Sequence, residues 1–198
     1  MTKRQLSLGA LTVMELAPDR MVTCAAEAGY DCVGLRLLPA TTTEPTWPCI
    51  GDTSLVREIE RRLADTGVRM LDIEIFRLLP ETDVHTFRPA LETGARLGAT
   101  QVLVGAYDRD PQRLSDRFGA LCDLGAPLGL SMNIEPMPWT EVKSIAQGLL
   151  VLESAGRHNA GLLVDPIHFD RAGEVPANIA AIPRARLRYM QICDAPAE

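Results

Sequence analysis

The sequence predicts an α/β fold of parallel strands, a (β/α)8 barrel in which no eighth strand is found. Short apolar runs alternate with amphipathic stretches of helical period along the 198 residues. One order of helix, glycine and strand recurs at residues 28–35, 66–73 and 97–104. Polar residues follow several of the later strands. Such repetition favours parallel strands joined by right-handed helical crossovers.

The first half of the chain contains four expected strands and three expected helices. The strands cover residues 5–13, 32–38, 68–76 and 101–105. The helices cover residues 18–28, 53–66 and 84–97, where apolar residues recur at helical spacing. Pro18 suits a first helical turn, and the helices stop at Gly29, Gly67 and Gly98. Residues 40–51, which contain four threonines and two prolines, form a loop.

The second half continues the alternation as far as a seventh strand. Asp110 and Pro111 predict the start of the fourth helix, which extends to about residue 124. Strands are expected at residues 130–135, 161–164 and 186–192, a helix from Thr140 to Ser154, and a short helix at residues 175–182. We therefore expect residues 1–198 to be a single barrel domain. Because strand eight is not found, we favour an incomplete C-terminus over a truly open barrel.

An open doubly wound sheet is the alternative architecture. That fold usually carries a glycine-rich phosphate loop after its first strand. Residues 9–12 do not provide one. The barrel is therefore the favoured architecture.

Composition disfavours several classes of protein. The net charge is −6 and no run of basic residues forms a stripe, which argues against nucleic acid binding. No apolar run approaches the roughly 18 residues of a membrane span. The five cysteines are odd in number and form no C-x-x-C pair, so we expect buried thiols in a reducing cytoplasm.

Candidate functional residues lie at the carboxyl ends of the strands, where barrel enzymes place their active sites. They are Arg36, Asp72, Glu74, Asn133, Glu135, Asp165, His168, Gln191 and Asp194. Several converging carboxylates would repel each other in an apolar interior, and a divalent cation would relieve that cost. Ligation by oxygen suits a hard ion such as Mn²⁺ or Mg²⁺.

Simpler explanations of single residues stay open. Asp165 before Pro166 is also typical of a turn that ends a strand. His168 alone fits a hydrogen-bonded loop histidine. A structural ion pair with Arg36 or Arg77 explains Glu74 as well as a functional role does.

Three motifs resemble a known family. They are I-E-P-M-P-W from Ile134, L-L-V-D-P-I-H-F-D-R-A-G from Leu162 and Y-M-Q-I-C-D-A from Tyr189. They resemble the xylose isomerase-like barrels, in the sugar phosphate isomerase and epimerase group that also includes inosose dehydratases and ketose 3-epimerases. The resemblance covers essentially the whole chain.

The resemblance implies roles for individual residues. Glu135, Asp165 and Gln191 would be metal ligands, with Gln191 standing where many relatives have histidine. His168 would contact substrate hydroxyls. Lesser candidates for the substrate pocket are Arg36, Glu74, Trp139, Glu141 and Arg171. Relatives supply a fourth ligand, a glutamate on strand eight, which this sequence does not show.

The resemblance implies a metal-dependent isomerase or epimerase that acts on a sugar or other polyhydroxy ketone through an enediolate. Glu135 would be the base, and Mn²⁺ or Mg²⁺ the ion, with Co²⁺ or Zn²⁺ as alternatives. An inosose-type dehydratase and a non-catalytic polyol-binding barrel are the alternative functions. A trinuclear zinc nuclease is disfavoured, because the chain has only three histidines. A homo-oligomer is plausible.

Overall fold

Seven parallel strands form one curled sheet in chain order, with helices in the connections. The computed structural model describes residues 4–193, 195 and 196. The strands are β1 (Ser7–Leu8), β2 (Cys32–Arg36), β3 (Arg69–Leu78), β4 (Gln101–Ala106), β5 (Ser131–Ile134), β6 (Ala160–Val164) and β7 (Leu187–Met190). This is the predicted barrel without its last strand, and the described residues contain no eighth strand.

Six α-helices connect or follow the strands in the described residues. They are α1 (Pro18–Glu27), α2 (Ser54–Thr66), α3 (Arg88–Arg96), α4 (Pro111–Gly125), α5 (Ile145–Ala155) and α6 (Pro166–Arg171). Short 3-10 helices cover Ala10–Val13, Val84–Phe87, Ala126–Leu128 and Pro176–Ala181. No helix in the described part of the chain is both long and apolar enough to span a membrane.

Apolar side chains form two clusters on opposite faces of the sheet. The larger cluster lies between the sheet and the helices and includes Val33, Phe76 and Phe118, which are fully buried. The smaller cluster lies on the inner face and consists of Ile75, Leu103, Met137 and Leu163, with Ala40 and Tyr189 packed against it. Alternation along each strand thus separates a helix-facing core from an inner face that also carries polar residues.

The predicted helix boundaries are largely confirmed at capped ends. The Thr53 side chain accepts a hydrogen bond from the Val56 amide at the start of α2. The Asp110 side chain caps α4, and Pro111 is its first residue. Gly67 ends α2 with φ of 73°, a left-handed conformation that a residue with a Cβ atom adopts at a cost.

Some predictions of local structure were wrong. Strand β1 has only two residues, because residues 10–13 turn into a 3-10 helix instead of continuing the strand. Thr140 does not cap α5, since its hydroxyl donates to carbonyls in its own turn, whereas Ser144 accepts from the Gln147 amide. Helix α6 was not predicted, and Asp165 caps it.

Other differences concern the type of helix or the exposure of a thiol. The third helix begins as the 3-10 segment before α3, and the expected helix at 175–182 is a 3-10 segment. All five cysteines are free, but only Cys32, Cys49 and Cys122 are buried. The expectation of buried thiols was therefore wrong for Cys24, which is half-buried, and for Cys193, which is exposed.

Candidate metal centre

Glu135, Asp165 and His168 bring three possible metal-ligating atoms together at the carboxyl ends of β5 and β6. One oxygen of each carboxylate and one imidazole nitrogen lie within 4.8 Å of one another. The two carboxylates are buried and the imidazole is half-buried. The sequence predicted that these residues share a site, and the structure brings their side chains together.

Asp165 has this position because β6 ends directly before it and α6 begins directly after it. Its Oδ1 atom accepts hydrogen bonds from the backbone amides of Ile167 at 2.8 Å and His168 at 3.4 Å. Pro166 occupies the first helical position, which needs no amide donor. The turn explanation of Asp165 and the ligand explanation are therefore compatible, because one oxygen caps the helix and the other is not used by the cap.

Glu135 is a buried carboxylate with an oxygen atom that has no hydrogen-bond partner. Its residue is 2% exposed, and its Oε1 atom forms no hydrogen bond in the structure. Burial raises the pKa of Glu135 to about 8, and the nearby carboxylates of Asp165 and Glu74 add to the shift. An ionised Glu135 at neutral pH therefore needs a positive charge beside it.

His168 faces Glu135 from the first turn of α6. Its Nε2 atom lies 3.7 Å from Glu135 Oε1, and its Nδ1 atom is buried without a hydrogen bond. Burial lowers the pKa of His168, although Asp165 opposes that shift. The ring of Trp139 meets the imidazole edge-on, with 4.7 Å between ring centroids. Trp139 is 57% exposed, so it lies at the solvent side of this group.

Gln191 and Cys193 approach the same group from the end of β7. The backbone amide of Gln191 donates to the Val164 carbonyl at 3.1 Å. This contact places Gln191 beside Asp165 across adjacent strands. The Cys193 thiol lies 3.2 and 3.1 Å from the two Asp165 carboxylate oxygens. Asp194, also proposed from the sequence, lies outside the described residues.

A second acidic group lies on the inner face of β3. Asp72 is 4% exposed and Glu74 is 2% exposed. Burial raises the pKa of Asp72 to about 8, and Glu74 adds to it. Burial also raises the pKa of the Tyr189 phenol, with contributions from Asp72, Glu74 and Glu135, so the phenol keeps its proton. Its hydroxyl has no hydrogen-bond partner in the structure.

Arg36 neutralises part of this acidic group. It donates to Glu74 and to Glu44, each at 2.8 Å. The ion pair between Arg36 and Glu74, which the sequence left open against a pairing with Arg77, is therefore present. Arg36 is occupied by two carboxylates, and a substrate would have to compete with them.

The remaining predicted pocket residues form no hydrogen bond with the three clustered side chains in the structure, although the charge of Arg171 adds to burial in lowering the pKa of His168. Glu141 pairs with the exposed Arg109 at 3.3 Å. Arg171 lies exposed in the last turn of α6.

Two residues of the site were not predicted as functional. They are Tyr189 and Cys193, which precede and follow Gln191 by two positions. Alternation along a strand puts residues two apart on one face, so that spacing could have identified Tyr189.

The donors fit a divalent cation. Two carboxylates and an imidazole are ligands that Mn²⁺, Co²⁺ and Zn²⁺ accept. The buried Glu135 oxygen without a partner and the raised pKa both indicate a site that is short of positive charge. The imidazole differs from the set of oxygen ligands expected from the sequence, and it widens the range of suitable ions towards zinc.

Comparisons with known proteins agree with the fold. A family model described as xylose isomerase-like TIM barrel matches residues 22–198. Among curated proteins, 3-dehydroshikimate dehydratase of Pseudomonas aeruginosa is 28% identical over 153 residues, which cover 71% of this chain. The match covers 24% of that protein, so the chain spans about a quarter of the length of this curated relative.

Solved structures show the same fold at lower identity. A D-allulose 3-epimerase from Methylomonas sp., in complex with D-allulose, has a TM-score of 0.75 and 20% identity over 96% of this chain and 73% of its own. An IolI protein with a bound zinc atom has a TM-score of 0.76 and 18% identity over 96% of this chain and 73% of its own. The TM-scores show a shared fold, and at identities this low the similarity extends to the fold alone.

Proposed function

Because the chain belongs to the xylose isomerase-like TIM barrel family, we propose that it is a metal-dependent enzyme that moves a proton next to the carbonyl group of a polyhydroxylated ketone. The observation that carries this proposal is the group formed by Glu135, Asp165 and His168, with ligand atoms within 4.8 Å of one another. The proposal includes Gln191 as a further ligand and a small sugar or polyol as the substrate.

Glu135, Asp165 and Gln191 would hold a divalent cation, which would supply a Lewis acid at the substrate carbonyl and so make the neighbouring C–H bond more acidic. Glu135 takes that proton at a carboxylate oxygen, since its side chain is buried next to Asp165 and His168. Because those three residues hold the ion in this proposal, His168 is left to hold a substrate hydroxyl and stabilise the enediolate through Nε2, the ring nitrogen that faces Glu135. Trp139 covers the solvent side of His168 and limits the access of water.

Return of the proton to the substrate completes an isomerisation or epimerisation. Epimerisation requires a second acid on the opposite face of the enediolate. The neutral Tyr189 phenol is a candidate among the described residues, because it belongs to the acidic group on the inner face, whereas Glu74 is ion-paired with Arg36. The fold shared with a D-allulose 3-epimerase supports this outcome.

Elimination of water is a second candidate outcome, and the similarity to 3-dehydroshikimate dehydratase favours it. Here the same enolate expels a hydroxyl from the next carbon, and that hydroxyl leaves as water with the proton taken from the substrate. Glu135 takes the proton from the carbon and returns it to the leaving hydroxyl, either directly or through His168, whose Nε2 atom lies 3.7 Å from Glu135 Oε1. No second face is needed.

The test combines metal content with product analysis. Purified protein is stripped with a chelator, reloaded with Mn²⁺ and assayed with D-allulose and with 3-dehydroshikimate. We expect about one ion per chain, and turnover of one substrate that is lost in Glu135→Gln. Glu153→Gln, which changes an exposed glutamate on α5, is the matched control. A protein that binds sugar but retains no ion would be the non-catalytic binder and would overturn the proposal.

A further inference from the structure

Arg77 differs from the other arginine of the inner face in having no carboxylate partner. Arg36 is paired with Glu44 and Glu74 at 2.8 Å each. Arg77 forms no ion pair with any carboxylate in residues 4–193, 195 and 196, although it is half-buried. An arginine keeps its charge at every relevant pH, and a partly desolvated charge without a counter-ion is costly.

The strand register places Arg77 on the same inner face as Glu135. Arg77 is paired with Gly105 between β3 and β4, and Leu103 is paired with Asn133 between β4 and β5. Residues paired in this way point to one face, as do residues two apart on a strand. Arg77, Gly105 and Glu135 therefore share a layer. Their strands are two spacings apart, or about 10 Å, which a small cyclic or open-chain polyol spans.

The Arg77 guanidinium forms a hydrogen bond through Nη1, whereas its Nε atom forms none. Its carbon atom lies 4.3 Å from the centroid of the Tyr107 ring, and its Nη1 atom donates to the Ala40 carbonyl at 2.6 Å. Its Nε atom is buried and has no hydrogen-bond partner. The Nε and Nη2 edge is the one that binds a carboxylate or phosphate through two parallel hydrogen bonds.

Gly105 makes room for the aromatic ring on which Arg77 rests. A Cβ atom on Gly105 would lie 2.7 Å from the Tyr107 ring and 3.4 Å from Met137, so glycine permits the ring to lie under Arg77. Met137 follows Glu135 by two residues and belongs to the inner apolar cluster. The stacked arginine and the candidate metal centre thus lie on the same inner face of the sheet.

We infer that Arg77 anchors an anionic group of the substrate, a carboxylate or a phosphate, while its carbonyl end is held at Glu135, Asp165 and His168. The inference rests on the proposed function and names the substrate class more narrowly, as an anionic polyhydroxy ketone. Arg36 does not take this part, because its own two carboxylates already neutralise it.

The test measures binding as well as turnover. Quenching of tryptophan fluorescence in Mn²⁺-loaded and in metal-free protein gives affinities for two matched pairs, shikimate with its methyl ester and D-ribulose 5-phosphate with D-ribulose. We expect the wild type to bind one anionic member tenfold to a hundredfold more tightly than its neutral partner, the ratio typical of a charged hydrogen bond. Whichever pair shows the preference identifies carboxylate or phosphate.

In Arg77→Met the preference is expected to fall to about one while the affinity for the neutral member is retained. Arg77→Lys should keep part of the preference for the anionic ligand. Arg88→Met, which changes an exposed arginine of α3, should keep the whole preference. Equal weakening of both members with a lower Tm would show that Arg77 only fastens the loop at Ala40, and would overturn the inference. So would a wild type without charge preference.

These results separate the two proposals. Metal retention and turnover without a charge preference would leave the proposed function intact and remove the role of Arg77. A preference that depends on Arg77, in a protein that neither holds metal nor turns over a ketone, would support the anion site and remove the proposed enzyme function.

Discussion

Gly34 and Asp72 are matched across adjacent strands, since a Cβ atom at Gly34 would lie 2.5 Å from Asp72 Oδ1. The two residues are paired in the register of β2 and β3. The inner face therefore accommodates a buried carboxylate only because the neighbouring residue has no side chain.

Gly34→Ala is expected to destabilise the fold by about 1–3 kcal/mol through overpacking. Urea unfolding followed by circular dichroism measures the change. Gly9→Ala is the control, because a Cβ atom there would approach nothing nearer than Thr12 Oγ1 at 4.0 Å. Adding Asp72→Ala should remove most of the cost of Gly34→Ala in a double-mutant cycle. Costs that simply add would show that the two side chains do not conflict.

Asp72→Asn is expected to make the metal-free protein more stable at pH 8 than the wild type. Burial raises the pKa of Asp72 from 3.8 to about 8, so the folded state holds a proton that the unfolded state has released. The unfolding free energy of the wild type should fall as the pH rises from about 4 to 8. In the variant, position 72 no longer contributes to this pH dependence.

Urea titrations at several pH values, with a chelator present, measure this difference between the two proteins. The advantage of Asp72→Asn should grow with pH. Asp116→Asn, on the exposed side of α4, should show no such trend. A variant that is less stable than the wild type at pH 8 would mean that Asp72 is ionised and well solvated in the folded state.

Asp165→Asn and Asp165→Ala should separate the cap of α6 from metal binding. Asparagine keeps a side-chain oxygen that caps a helix, whereas alanine does not. Both variants are expected to lose Mn²⁺ affinity, as measured by isothermal titration calorimetry. Only Asp165→Ala should lose an additional ~1 kcal/mol of stability, as measured by urea unfolding. Equal stability of the two variants would show that the hydrogen bonds to Ile167 and His168 contribute little.

Trp139→Ala is expected to raise KM several-fold with a change in stability below about 0.5 kcal/mol. The ring is 57% exposed, so the core loses little, but its edge contact with His168 is lost. Steady-state kinetics and thermal unfolding measure the two effects. Trp47→Phe, at the other tryptophan, should leave KM unchanged. A large fall in Tm for Trp139→Ala would instead indicate a structural role.

The sequence was most informative where a residue acts through its place in a strand. Asp165 and Glu135 could be predicted as site residues because parallel strands deliver their ends to one edge. Helix α6 could not be predicted, because six residues are too few to show a helical period. Residues 10–13 are apolar and partly β-branched and therefore resemble a strand, although the chain turns there.

Contacts between distant side chains were the least predictable part. The sequence could not decide between Arg36 and Arg77 as the partner of Glu74. Both arginines lie near Glu74 in the strand pattern, and the choice between them depends on side-chain packing. It gave no sign that Arg77 rests on Tyr107, thirty positions away in the chain. Distances across a curled sheet depend on its curvature, which no local pattern encodes.

If Asp165 both caps α6 and binds the proposed ion, few other residues are acceptable at that position. Glutamate carries the charge but is too long to cap its own helix, and serine or asparagine can cap but carries no charge. Position 191 is less restricted, since several polar side chains can offer a metal a neutral donor. A lineage that loses the chemistry of this barrel is therefore expected to drift first at position 191, and at position 165 only when the helix after it is also given up.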